Sequence, residues 1–111
     1  NSRIELILDK VDGADFNFNF QNNLILFDDY NNLYSTKLQY QFSNTTFYKN
    51  IILNQPPDFK KPQSNQFIIG KLSAGIQKGN ISKALTVPQD ILGIDRTTSP
   101  DLGAYQHINF Q

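Results

Sequence analysis

Phe20-Gln21-Asn22-Asn23-Leu24-Ile25-Leu26 and Phe47-Tyr48-Lys49-Asn50-Ile51-Ile52-Leu53 can be laid one on the other without a gap, giving Phe-x-x-Asn-[Leu/Ile]-Ile-Leu twice at an offset of 27 residues. Each copy holds a short apolar run bounded by polar residues, the signature of a strand rather than a helix. Self-similarity with a period in the twenties is the length of one coil of a parallel β-solenoid, in which every turn lays its strands on those of the turn below. The expectation is that Leu24–Leu26 and Ile51–Leu53 stack in parallel. An antiparallel β-sandwich is the competing architecture, since it too is built of short strands separated by turn signals.

The flanking sequence carries the same strand character. Ile4, Leu6 and Leu8 alternate with Arg3, Glu5 and Ile7, and Phe16-Asn17-Phe18-Asn19-Phe20 has a strict period of two, so a strand puts all three Phe on one face. Thirteen Asn and ten Gln make carboxamides unusually frequent. At the corners of a coil Asn tolerates left-handed backbone angles and bonds locally, and Asn residues of successive coils can form an amide ladder, for which Asn23 and Asn50 are the candidates. Residues 28–46 interrupt the pattern and read as an excursion. Its Tyr30, Tyr34 and Tyr40 are candidates for a carbohydrate-binding platform, with a purely structural covering of the solenoid wall as the alternative. Gln55-Pro56-Pro57 through Pro62-Gln63-Ser64-Asn65 reads as a loop, because Pro fixes its own φ and extends its predecessor. A short strand at Phe67–Ile69 comes next. The chain thus divides into terminal coils over residues 1–70 and an irregular closing segment over 71–111.

Composition limits the function. The 111 residues carry ten Lys+Arg and ten Asp+Glu, a balance that argues against nucleic acid, whose phosphates demand a basic excess. Twelve Ile, eleven Leu and nine Phe are too many for a disordered chain. Without Cys there are no disulfides, thiolate metal sites or thiol nucleophiles. No apolar stretch is long enough to form a transmembrane helix. The chain opens in a strand pattern with neither Met nor a signal-peptide layout, and is therefore expected to be a piece of something longer.

Catalytic chemistry finds little footing, and no catalytic residue is assigned. Asp9, Asp12 and Asp15 recur around Gly13, and Asp28 and Asp29 are adjacent, so Ca²⁺ held by carboxylates is conceivable, though the spacing is not that of an EF-hand. An Asp pair working as acid and base is the enzymatic alternative. His107 is the sole His, reads as an exposed terminal residue, and has no second His or Cys to complete a metal site. No nucleotide-binding or hydrolase motif occurs. Asn44-Thr45-Thr46 and Asn80-Ile81-Ser82 fit the N-glycosylation sequon, a pattern common by chance in so Asn-rich a chain.

The tail is more specific. Ser73-Ala74-Gly75-Ile76-Gln77-Lys78-Gly79 resembles a Ser-Pro-Ala-Ile-Asp-x-Gly segment. Asp90-Ile91-Leu92-Gly93-Ile94-Asp95-Arg96 with Pro100-Asp101-Leu102-Gly103-Ala104-Tyr105 resembles an Asp-x-x-Gly-x-x-Arg, Asp-[Ile/Leu]-Gly-Ala-Tyr-Glu ending. Together they resemble the C-terminal region of right-handed parallel β-helix proteins, pectin-lyase-like in scaffold, with a choice-of-anchor Q domain. Such proteins are secreted or surface-exposed, associated with the outer membrane, and common in the Bacteroidetes. The chain departs from that pattern at Ala74, Gly75, Ile94, Asp95 and Gln106, the last replacing a customary Glu. The resemblance implies an all-β, right-handed parallel β-helix, here its last coils and end cap, located outside the cell. It implies no defined reaction. Asp90, Gly93, Arg96, Asp101, Gly103 and Tyr105 are the expected cap residues, with an ion pair between Arg96 and Asp101 and a further tie through Asp90. The expected partner is the protein's own preceding coils, with a polysaccharide as the alternative, either bound by this module or cleaved by a lyase or glycoside hydrolase of which it is part.

Overall fold

Phe20–Ile25 and Tyr48–Leu53 form strands β1 and β2, which pair in parallel. Leu24 faces Ile52 and Ile25 faces Leu53, so the two apolar runs do lie side by side. The register, however, pairs Phe20 with Tyr48 and Asn23 with Ile51, an offset of 28 residues, one more than the sequence alignment gives. Three consecutive apolar positions in each copy leave a one-residue slip nearly invisible in the sequence, although it exchanges every side chain between faces. The slip moves the amide pairing as well. Asn23 is opposite Ile51, not Asn50, and the Asn residues with left-handed backbone in the two strands are Asn22 (φ 55°) and Asn50 (φ 56°).

The computed structural model describes residues 4–11, 13–15 and 17–110, in two units, Asn1–Asn54 and Gln55–Gln111. The boundary falls at the Gln55-Pro56-Pro57 step; position 70/71, drawn from the sequence, lies inside the second unit. Phe16 and Asp12 lie outside the described residues.

The first unit is built on Ile25, Phe27 and Tyr40, with Ile4, Leu6, Leu8, Tyr34, Phe42, Ile51 and Leu53 packed around them. Ile4, Leu6 and Leu8 are half-buried while Glu5 and Ile7 are exposed, the alternation expected of a strand. A bridge from Ile4 to Phe27, antiparallel, and the Glu5 N–H to the Leu26 carbonyl (2.9 Å) hold that segment. The Asn54 side chain completes the end of the ladder. Its Oδ1 accepts the Phe27 N–H (2.7 Å) and its Nδ2 donates to the Phe27 carbonyl (3.2 Å), so a carboxamide stands where a strand residue would pair.

Aromatic rings continue the core. Phe18 stacks on Phe47 at 4.6 Å, Tyr48 meets Phe42 edge-on at 4.9 Å, and Phe42 meets Phe27 at 5.0 Å. Tyr48 is buried and its hydroxyl donates to the Gln39 carbonyl. Burial, reinforced by neighbouring Tyr40, pushes the Tyr48 phenol up to about 12 from an ordinary 10.0. A group raised in this way lends its full stability below its unfolded pKa and loses it as pH climbs through the folded one. Between about pH 10 and about pH 12 the first unit is therefore expected to lose roughly 2–3 kcal/mol. Thermal unfolding followed by circular dichroism across that window checks this; Tyr48→Phe should remove most of the alkaline fall, and an unchanged fall would refute the assignment.

The second unit contains the other sheet. Phe59–Lys61 (β3) and Gln66–Ile69 (β4) pair antiparallel, Phe59 with Ile69 and Lys61 with Gln66, around a tight turn at Pro62–Ser64 closed by Asn65 (φ 57°). Pro62 opens that turn because its missing N–H costs nothing there. Part of the stretch that reads as a loop in the sequence is thus a strand. Ile81–Ala84 (α1) is a single helical turn capped by Asn80, whose Oδ1 accepts the Lys83 N–H (3.3 Å).

These elements overturn the right-handed parallel β-helix. Among the described residues, two sheets of two strands each, one parallel and one antiparallel, replace a solenoid. No third strand among those residues pairs with β1 or β2, and the next two strands, β3 and β4, form an antiparallel hairpin.

Candidate functional site

The chemistry of the second unit is concentrated in residues 73–108, where three polar side chains knit loops together. Asp90 begins a turn in which its Oδ1 accepts the N–H groups of Leu92 and Ile94 (2.9 Å each) and its Oδ2 accepts that of Gln106 (2.9 Å). An Asp at such a position organises the backbone two and four residues on. Gly93 (φ 82°) and Gly103 (φ 88°) supply the left-handed angles these turns need; space is not the issue, since a Cβ there would meet nothing. Burial alone would raise the Asp90 carboxyl. The three N–H groups, with the Arg96 charge, outweigh it and hold the carboxyl below its usual value.

Asp101, only 1% exposed, is the centre of the arrangement. Its Oδ1 accepts the Gln77 N–H (2.9 Å), and its Oδ2 accepts both the His107 N–H (2.6 Å) and the His107 ring at Nδ1 (2.7 Å). Gln106, also buried, accepts the Asp101 N–H at Oε1 (2.7 Å) and donates from Nε2 to the Ser99 carbonyl (3.1 Å). A Glu at 106 has no such donor, which gives this chain's Gln a physical reason. The Gly79 N–H reaches the Pro100 carbonyl and the Leu102 N–H reaches that of Gly75 (2.9 Å each), so the two tail stretches singled out in the sequence meet in space. A Cβ on Gly79 would lie 2.7 Å from the Asp101 carbonyl oxygen.

Two expectations about this tail are corrected. The Arg96 guanidinium does not reach the Asp101 carboxylate; its Nη2 donates to the carbonyls of Asp101 (3.2 Å) and Gly103 (3.0 Å). The carboxylate is turned to the Gln77 and His107 N–H groups and the His107 ring, and Arg96 takes carbonyl acceptors instead. Nor does the segment seal a solenoid end. It packs on Gly75–Gly79 of its own unit and, through the Ile108 N–H to the Ile69 carbonyl (3.0 Å), on β4. Tyr105 is half-buried.

His107 is legible in the sequence only as a terminal residue, and its pairing with Asp101 six positions earlier has no signal there beyond proximity. With Nδ1–H donated to the carboxylate, Nε2 is left as an acceptor. Among the described residues no hydroxyl is hydrogen-bonded to Nε2. No nucleophile is set beside the pair among those residues.

The tyrosines of the excursion are dispersed in burial. Tyr40 is 4% exposed, with its hydroxyl accepting the Leu8 N–H (2.6 Å) and donating to the Leu8 carbonyl (3.3 Å). Tyr34 is half-buried against it, the rings 5.5 Å apart, while Tyr30 is 68% exposed. Tyr40 therefore has no face to offer a sugar. Asp29 is committed to its own loop, accepting the N–H groups of Leu33 (3.0 Å), Tyr34 (3.0 Å) and Ser35 (2.8 Å). Desolvation pulls its carboxyl up, but these donors prevail and lower it. Among the described residues no three His, Cys, Asp or Glu side chains gather as a metal site; Asp12 lies outside them. No helix among the described residues is long and apolar enough to cross a membrane.

Compared with protein-family models, with curated proteins and with solved structures, the chain finds no match.

Proposed function

We propose that the chain is a structural or interaction module whose working surface is the open edge of the β1–β2 ladder, to which a partner polypeptide adds a strand. The carrying observation is a parallel pair that forms a sheet of its own among the described residues, for both strands of a two-stranded sheet are edge strands. Parallel strands ordinarily lie inside larger sheets with both faces covered, and isolated pairs are marginal. Natural edges are usually blunted by charge or Pro. Here β1, Phe20-Gln21-Asn22-Asn23-Leu24-Ile25, has neither, and β2 has Lys49 alone. The Asn54 N–H to the Ile25 carbonyl (2.9 Å) turns the ladder's bonds inward at residue 54, so the main-chain groups of Leu53 face away from β1. Strand addition uses such groups for affinity and alternate side chains for specificity. The carboxylates support the same reading: Asp29, Asp90 and Asp101 are each spent on main-chain N–H groups, which makes them fasteners of loops. A setting outside the cell rests on the tail motifs.

The test is selection of extended peptides from a displayed library against the full chain, followed by hydrogen exchange of each complex. Slowed exchange confined to the amides of Tyr48–Leu53 or Phe20–Ile25 is expected. Peptides that protect other segments, or the absence of any selected peptide, would overturn the proposal.

A further inference from the structure

The β3–β4 hairpin lies in the other unit and its outer surface has a different character. From Phe59 to Gln89 the chain holds five Lys and no Asp or Glu. Within the hairpin Lys60 and Lys61 are exposed, and Lys71 is exposed just beyond β4. Between these charges stand large apolar groups: Phe59 is 37% exposed, Phe67 46% and Leu72 72%. The rings of Phe59 and Phe67 meet edge to face at 5.3 Å, and the Leu72 N–H donates to the Asp58 carboxylate (2.9 Å) beside Phe59, which brings the three into one neighbourhood. Asp58, the nearest carboxylate, is thereby turned to the backbone.

We infer that this hairpin is a docking surface for an anionic lipid bilayer, with Phe59, Phe67 and Leu72 entering the interface and Lys60, Lys61 and Lys71 meeting acidic headgroups. Exposed aromatic and aliphatic side chains with exposed Lys beside them along the chain are what peripheral attachment requires, apolar burial and headgroup attraction acting together. An anionic polysaccharide shares the charge requirement. It offers no apolar medium for Leu72, and the bilayer is the better match for that reason. Attachment through this surface is peripheral and needs no spanning helix.

The experiment is co-sedimentation of the full chain with vesicles of phosphatidylcholine alone and of equal parts phosphatidylcholine and phosphatidylserine. Binding to the anionic vesicles only, weakened by salt, is expected. Each Lys near the surface contributes about fivefold in affinity, so joint replacement of Lys60, Lys61 and Lys71 by Gln should weaken binding roughly a hundredfold. These positions are exposed, and the circular dichroism spectrum of the triple variant should be unchanged. Because the chain has no Trp, Phe67→Trp gives a single reporter: its emission should shift to the blue with anionic vesicles and be quenched by brominated acyl chains. Vesicle binding without a shift, binding that survives the triple replacement, or retention on a sulfated polysaccharide without vesicle binding would each overturn the inference. The β1–β2 edge takes no part in any of these readouts.

Discussion

Replacing Asp101 by Asn is expected to destabilise the second unit by about 3–5 kcal/mol, because a buried carboxylate's hydrogen bonds to two main-chain N–H groups and a His ring are disrupted together. The substitution is isosteric, so shape is not what fails. Both carboxylate oxygens accept N–H groups, Oδ1 from Gln77 and Oδ2 from His107 main chain and ring. Whichever way an Asn amide is turned, its NH₂ confronts an N–H donor in a site with almost no solvent. Urea unfolding of the full chain, with amide exchange at Gln77 and His107 as the local reporter, measures the effect. His107→Ala is the control: it removes one of the three bonds, at the exposed side, and should cost about 1 kcal/mol. Equal effects of the two substitutions, or preserved protection at Gln77 in Asp101→Asn, would show that the carboxylate does not hold the loops.

Phe27→Ala should cost the first unit a similar amount, about 3–5 kcal/mol for a large aromatic deleted from a core. Phe27 is buried, and its ring meets Tyr40 at 5.3 Å and Phe42 at 5.0 Å. Its main chain is also the site where Asn54 closes the ladder. At roughly 0.1 kcal/mol per residue, a unit of this size has only about 5 kcal/mol in all, so about 0–2 kcal/mol should remain and the unit should be at or near its unfolding midpoint close to room temperature. Near-ultraviolet circular dichroism reports the loss of ring packing. Tyr30→Ala, at an exposed position, should stay within about 0.5 kcal/mol of the parent protein. A mild effect of Phe27→Ala would show that the ring chain centred on Tyr48 stands without it.

Features legible in the sequence and features hidden from it divide along physical lines. The alternation at Ile4, Leu6 and Leu8 and the parallel neighbourhood of Leu24–Ile25 with Ile52–Leu53 are set by apolar pattern, which the fold obeys. The one-residue register is not, because Leu-Ile-Leu against Ile-Ile-Leu has no polar marker to pin it. The Asn surplus supplies left-handed backbone, with positive φ at Asn22, Asn32, Asn50, Asn54 and Asn65, but not coil corners: Asn22 and Asn50 lie within β1 and β2. Which of them matters most is not legible: Asn54, absent from the repeat, makes the long-range bonds. Solenoid continuation fails because a period needs repetition, and two copies fix a neighbour relation without dictating the element that comes after them. The tail motifs mark Asp90 and Asp101 as organising residues, while the ion pair expected of Arg96 loses to nearer N–H groups. Tyr40 reads as part of a surface because burial of a Tyr depends on a hydroxyl partner, here Leu8, thirty-two residues away.

The Asn54 carboxamide has one more implication, for how the protein ages. Spontaneous hydrolysis of that amide, however slow, would turn its donor half into an acceptor facing the Phe27 carbonyl, so the same atom count that lets an Asn imitate a peptide group also gives the molecule a chemical clock where the ladder closes.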